Sequence, residues 1–408
     1  MKPPPLSLVE AQTRLLALAP TLPIEHRAVE DCAGFYLAEP LTALRTQPAA
    51  AMSAMDGYAV RAGDPGPWRV VGESAAGHPL ARALGQGEAA RVSTGAIVPD
   101  GGECVLLQED CTREGDILRH LEALPTRWRH VRRAGLDFGA DDLLLPVGTR
   151  IGAAQLALAI AAGHQHLAVR RKVRLTVIDC GDELVRPGIP GSTHQLPASN
   201  APMLAALAAG LPVEIRRLGP IPDRLDALAE AFEAARDADI VVTSGGASVG
   251  DHDLIRPALD HAGASIDFWR VAIKPGKPLL VARRPREHGT AENGVQTILG
   301  LPGNPASAFV TGFLFMLPLL RAALGAARPL PTRLTARLAA PLLPGGRRME
   351  FLRARWADGE VGPEAEQDSG ALRPLAHANA LICREIGAPA ANAGETVQVY
   401  WLENGGIA

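Results

Sequence analysis

Four short runs in this 408-residue chain carry the side chains that could do chemistry. The first is Asp179-Cys180-Gly181-Asp182-Glu183-Leu184, and the second is Ser244-Gly245-Gly246-Ala247-Ser248-Val249-Gly250-Asp251-His252-Asp253. The third is Lys274-Pro275-Gly276-Lys277-Pro278, and the fourth Gly300-Leu301-Pro302-Gly303-Asn304-Pro305-Ala306-Ser307. Glycines let the backbone come close to a ligand, and the Ser244 hydroxyl adds a donor suited to an anionic or heteroaromatic group. Asp182, Glu183, Asp251 and Asp253 are hard oxygen ligands that could hold a magnesium ion bridging phosphate oxygens. Lys274 and Lys277, fixed by flanking prolines and a glycine, suit a phosphate or oxyanion contact. Each run also has a plainer reading: a chain reversal, carboxylates capping helix starts, lysines solvated on a turn. Taken together the four describe a pocket for a phosphorylated ligand with a divalent ion.

The elements around these runs decide whether they can meet. From Lys172 the pattern alternates strand and helix. Strands are expected at 173–178, 213–218, 239–243, 266–273, 279–282 and 295–299, and helices at 200–209, 223–236, 254–262 and 305–324. Such alternation predicts a doubly wound, largely parallel sheet, whose ligands sit at the carboxyl ends of its strands. All four runs fall at that edge. Before this unit, Ser7-x-x-Glu10 is a capping box opening a helix over 7–19, and 151–163 reads as an apolar helix ending at Gly163. The two are expected to pack side by side. Between them, from about Pro40 to Asp116, lies a small β module. After Pro329 strand-like runs predict a C-terminal β domain. The expected partition is a helical and extended N-terminal domain over 1–26, 40–55 and 138–171, an inserted β domain over 27–39 and 56–137, an α/β domain over 172–328, and a β domain over 329–408.

Composition narrows the function further. There are 42 glycines and 34 prolines, above the roughly 12% of average usage, yet hydrophobic residues reach 47%, so the chain can bury a core. The 41 basic and 44 acidic side chains are interspersed and give a net charge of −3, which lacks the footprint of a nucleic-acid binder. Cys32, Cys104, Cys111, Cys180 and Cys383 are spread without a C-x-x-C pair, which fits a reducing, cytoplasmic setting rather than a zinc or redox motif. No signal peptide is evident, and the apolar stretch Ala306 to Leu320 is read as a buried helix rather than a membrane span. There is no Walker A pattern and no G-x-S-x-G elbow. His164-Gln165-His166 lacks a nearby third ligand and reads as a polar turn.

The chain resembles the molybdopterin molybdenumtransferases, the family that includes the C-terminal domain of the gephyrin scaffold. The resemblance rests on Ser53-Ala54-Met55-Asp56-Gly57-Tyr58-Ala59-Val60, Ser93-Thr94-Gly95-Ala96, Val131 to Asp137, Gly181 to Leu184, Ser244 to Asp253, Lys274 to Pro278 and Leu301 to Pro305, in the family's order. It implies an elongated four-domain homodimer that inserts molybdate into adenylylated molybdopterin with magnesium, releasing AMP. Glu183 and Asp253 would hold the metal, and Asp56, Lys274 and Lys277 would join them in catalysis. Thr94, Asp137, Asp223, Ser244, Gly245, Gly246, Pro302, Gly303, Pro305, Arg347 (or Arg348) and Ser369 would contact substrate. Asp56, Thr94 and Asp137 would reach the site across the dimer. The molybdopterin adenylyltransferase and molybdoenzyme maturation proteins are implied as partners.

Four departures stand out. Asp179-Cys180-Gly181 replaces the usual Ser-Thr-Gly, Ala198-Ser199-Asn200 the usual Asp-Ser-Asn, Ala50-Ala51-Met52 the usual Phe-Asp-Asn before Ser53, and Arg373-Pro374 the usual Ser-Ser after the C-terminal glycine. The change at 179–181 removes one or two hydroxyl donors and adds a carboxylate beside Glu183, that at 198 removes another acid, and that at 373–374 alters a surface expected to touch the anion. They also keep open two alternatives, a paralogue using tungstate or another oxyanion and a non-catalytic molybdopterin carrier.

Overall fold

A computed structural model of the chain describes residues 4–122, 126–189, 191–245, 254–285 and 294–402. Its centre is a six-stranded sheet in the order Val213–Ile221, Val173–Cys180, Ile240–Ser244, Val295–Leu301, Pro278–Pro285 and Ser265–Arg270. The first four strands are parallel and the last two are joined antiparallel. Their near-continuous runs of Val, Ile and Leu are what a sheet covered on both faces demands.

One face of the sheet is covered by the helices Asn200–Ala208 and Pro305–Ala323, and the other by Leu225–Ala234 and Ile255–His261. The Pro305–Ala323 helix is 19 residues long and apolar enough to cross a membrane by length and composition, but 89% of its apolar window is buried inside the protein. A π-turn at Gly312–Met316 interrupts it, where Gly312 packs so tightly on Leu204 that a Cβ would lie 2.6 Å from its Cδ2.

The capping box forms at Leu8–Leu16: Ser7 Oγ accepts from Glu10 N at 3.2 Å, and Ser7 N donates to Glu10 Oε2 at 2.9 Å. This helix does not lie beside the second apolar helix, Ala153–Ala161, as its sequence position suggested. Its stripe Leu8, Ala11 and Leu15 is buried with Phe313 and Leu317, and Gln12 Nε2 donates to Leu314 O at 2.9 Å. A single apolar stripe can be satisfied by only one neighbour, and the long helix of the α/β domain offers the larger apolar surface.

The β module is reached through nested antiparallel pairs: Ile24–Ala28 with His166–Arg170, Leu41–Thr42 with Leu143–Leu145, and Met52–Ser53 with Val131–Arg132. Beyond them lies a six-stranded sheet in the order Cys104–Leu107, Gly57–Val60, Glu88–Val92, Trp68–Ser74, Ile117–His120 and Cys111–Glu114. Residues 27–39, expected in this module, pack elsewhere. Val29, Cys32, Phe35 and Leu37 form one cluster with Ile151, Ala159, Leu167 and Val169.

In the C-terminal unit Met349–Ala357 pairs with both Glu360–Pro363 and Ala380–Arg384, closing a ring completed by Leu334–Leu338 and Thr396–Trp401. This barrel is tied to the α/β domain by strand pairing and by ring packing. Ile273–Lys274 adds to Met349–Glu350 as a parallel strand, and Tyr400 packs edge-on against Phe313 with ring centroids 5.5 Å apart. Leu15, 1% exposed, is the test of the first helix's docking. Leu15→Ala should cost about 2–5 kcal/mol, read as a lower urea midpoint by far-UV circular dichroism with unchanged native helix content.

Candidate functional site

The ends of the parallel strands open into a cleft of about 730 Å³. Glu183, Asp223, Gly245, Lys277, Pro302, Gly303 and Pro305 line it, so seven of the residues singled out by sequence meet there. Ser244, 2% exposed, precedes Gly245 and does not itself line the cleft.

Turn chemistry explains how the loops come so close. Gly245 adopts φ +97°, and a Cβ there would lie 2.3 Å from Cys180 O, so only glycine lets the second strand-end loop pass over the first. Gly181, at φ +151°, leaves room for the Glu183 carboxylate, whose Oε2 would be 2.4 Å from an added Cβ.

One lip of the cleft is acidic. Asp223 N donates to Asp182 Oδ1 at 2.9 Å, which brings that carboxylate to the start of the Leu225–Ala234 helix. Partial withdrawal from water, then the neighbouring Asp182 and Glu183 charges, push the Asp223 pKa above its ordinary value. Among the described residues no lysine or arginine forms an ion pair with any of the three. Nor do three His, Cys, Asp or Glu side chains converge tightly enough among the described residues to hold a metal alone.

The opposite lip is basic, and it continues into a second cavity of about 270 Å³ lined by Lys274, Ser307, Arg348, Glu350, Gln367 and Ser369. Gly276 and Ser307 border both spaces. Lys274 Nζ is held by Glu350 Oε1 at 3.1 Å, whereas Lys277 faces the cleft. Ser369 Oγ accepts from Asn304 Nδ2 at 2.8 Å and Ser369 O from Ala306 N at 2.9 Å, which fastens the barrel to the Pro302–Pro305 turn. Arg347 is exposed and borders neither space. Its neighbour Arg348 does, donating to Ile273 O at 3.3 Å, because the barrel strand that starts at Met349 turns this side chain toward the α/β domain.

Asp56, Thr94 and Asp137 do not line the cleft within one chain. Asp56 Oδ1 accepts from Thr94 N at 2.6 Å and from Thr94 Oγ1 at 2.9 Å, and these bonds hold its carboxyl below the usual range. Asp137 is exposed, its amide bound to Gln47 O at 3.1 Å. Gly246 and Asp253 lie outside the described residues. Sequence reading placed Asn304 and Ser307 in the fourth run and Asn200 in a family departure but gave none of them a site role, although Asn200 opens a helix directly at the strand ends and so carried a positional signal.

Three family descriptions match the chain in sequence: the MoeA N-terminal region (domain I and II) over residues 6–163, a probable molybdopterin binding domain over 176–322, and the MoeA C-terminal region (domain IV) over 335–402. A molybdopterin molybdenumtransferase of Haemophilus influenzae is 34% identical over 320 residues, 77% of each chain. That of Nostoc sp. is 34% identical over 386 residues, covering 90% of this chain and 86% of the relative. A crystal structure of the molybdopterin biosynthesis moeA protein from a Pyrococcus species superposes with a TM-score of 0.78 at 28% identity, covering 97% of this chain and 98% of the other.

The acidic lip sets a pH-dependent prediction. A carboxyl whose pKa rises on folding opposes folding when ionised. That cost is absent below the ordinary value of 3.8 and complete once pH exceeds the raised folded value. Asp223→Asn should therefore raise the melting temperature at pH 7 and lose that advantage below about pH 4, as followed by differential scanning fluorimetry across pH.

Proposed function

This chain belongs to the molybdopterin molybdenumtransferase family, and on that premise we propose that its cleft binds adenylylated molybdopterin and inserts molybdate with release of AMP. Membership makes it a transferase of molybdenum cofactor biosynthesis. The observation that carries the site is the meeting of an acidic and a basic lip on one strand edge, shaped by glycine backbones.

The chemistry follows from the charges. Adenylylated molybdopterin carries a pyrophosphate and molybdate is a tetrahedral dianion, so both require positive potential. Lys277 supplies it in the cleft, while Lys274 and Arg348 supply it in the adjoining cavity. That smaller space suits the oxyanion, with the Ser369 and Ser307 hydroxyls as neutral donors. Asp223 lines the cleft beside Glu183 and is placed to contact the substrate. The Pro302–Pro305 turn and the Ser244 hydroxyl shape the pterin side.

Magnesium fits this donor set. Asp182, Glu183 and Asp223 present hard oxygen ligands close to one another with no basic residue pairing with them among the described residues, and a magnesium ion commonly joins only one or two carboxylates to substrate phosphates. Glu183 is the proposed ligand within this set, and Asp253, outside the described residues, is the second ligand that the family resemblance implies. When bound, the ion would polarise the phosphate being released.

A homodimer completes the arrangement. Asp56 and Thr94 are already tied together on the β module, and they would enter the partner's cleft. The helix Ala153–Ala161 supports a dimer, since of its apolar residues only Ala159 is buried, while Ile160 is 48% exposed. Ile160→Glu should halve the mass seen by light scattering, and an unchanged mass would place the interface elsewhere.

Wild-type protein given adenylylated molybdopterin and magnesium should release AMP only when molybdate is added. Lys277→Ala and Glu183→Ala should each lower the rate about 100-fold, and EDTA should abolish it. Release of AMP at the same rate without molybdate, or wild-type turnover in both variants, would sink this reading.

A further inference from the structure

Asn200 begins the helix Asn200–Ala208 and lines the cleft, and its side chain makes contacts that the chemistry above leaves unused. Its Nδ2 donates to Ser244 Oγ at 2.8 Å and to Gly303 O at 2.6 Å. A carbonyl can only accept, so the Gly303 contact alone decides which end of the amide faces the loops. Ser244 ends one parallel strand and Gly303 follows the next, so a single amide joins three segments of the chain. The two loops it holds are packed backbone to backbone, for a Cβ on Gly303 would lie 3.5 Å from Gly245 Cα.

Asp179 anchors this tie from behind. It is the next-to-last residue of the adjacent strand, is 3% exposed, and receives Ala201 N at 2.9 and 3.0 Å on its two carboxylate oxygens. A carboxylate at the first turn of a helix satisfies a free N–H and lies favourably against the helix dipole. Ala198 cannot do so, because it has no polar atoms beyond the backbone. The carboxylate therefore reaches the helix start from the strand and not from the turn that precedes it.

We propose that Asn200 is a positioning residue that sets the separation of the Ser244–Gly245 and Pro302–Gly303 loops around the substrate, and that Asp179 holds Asn200 in register. This inference rests on reading the cleft as the adenylylated molybdopterin site. It makes Asn200 important for substrate affinity without contact between Asn200 and the reacting phosphate.

Two measurements on the full chain test it. In AMP-release kinetics, Asn200→Ala and Asn200→Asp should each raise KM for adenylylated molybdopterin about tenfold, the loss of two hydrogen bonds, with kcat changed less than about threefold. Asp179→Ala should do the same, and Asp179→Asn, which still offers an acceptor to Ala201 N–H, should recover most of that loss. In hydrogen exchange without substrate, the amides of Gly245, Gly303 and Asn304 should exchange about tenfold faster in Asn200→Ala, with the strand interiors as protected as in the wild type. Unchanged exchange at these amides overturns the inference, as does a wild-type KM in a variant whose loops have loosened. If the wild-type chain itself releases no AMP, the functional reading fails instead, and the exchange measurement alone decides the coupling.

Discussion

Burial of one long apolar helix on every side is the constraint from which the rest of the molecule follows. Pro305–Ala323 meets the sheet on one face, receives the N-terminal helix through Leu8, Ala11 and Leu15, and presents Phe313 to Tyr400 of the barrel. Three parts of the chain that are remote in sequence thus share a single core. The helix also begins at Pro305, in the cleft itself, so its N-terminal turn is held by the same packing that holds the domains. The polar loops of the site need no core of their own because they are the ends of elements that are already fixed.

Charge is arranged on this frame so that the acidic lip of the cleft has no basic partner among the described residues. Asp182, Glu183 and Asp223 sit on one lip, with Lys277 opposite and Lys274 and Arg348 beyond it. Were they paired with each other, they would be spent on internal salt bridges, and an exposed pair would contribute only about 0–1 kcal/mol. With no pairing between the two lips among the described residues, Lys277 faces the cleft for anions and the carboxylates remain for a hard cation, while Lys274 is held in place by Glu350. Asp179 is the exception that proves informative. It is buried, so withdrawal from water raises its pKa, and the Ala201 amide works against that shift. A buried carboxylate is tolerated there because the start of a helix supplies the partner it needs.

The β module follows a different logic. Nested antiparallel pairs carry the chain out and back, so the module hangs on a ribbon and not on a broad interface. Its Asp56–Thr94 pair is internally satisfied, which keeps Asp56 ionised and oriented although nothing in its own chain's cleft calls on it.

Much of this was legible in the sequence because it is local. The Ser7–Glu10 cap, the alternation of strand and helix after Lys172, and the glycine-rich strand ends all depend on residues a few positions apart, and each formed as its spacing dictated. The identity of the cleft residues was legible for the same reason: in a parallel sheet every strand end points to the same edge, so loops distant in sequence had only one place to gather. Tertiary structure alone decided what depends on long-range register. The N-terminal helix docks on Leu314, 302 residues from Gln12, and not on its apparent neighbour Ala153–Ala161, through a contact no local pattern encodes. Arg348, not Arg347, faces the site because the barrel strand's alternation is set by pairing with Ile273–Lys274. Asn200 became the tie between loops only when Ser244 and Gly303, 44 and 103 residues away, were brought to its side chain. Residue type and spacing determine which chemistry is available; which of those side chains meet is determined by the packing that fixes their distances.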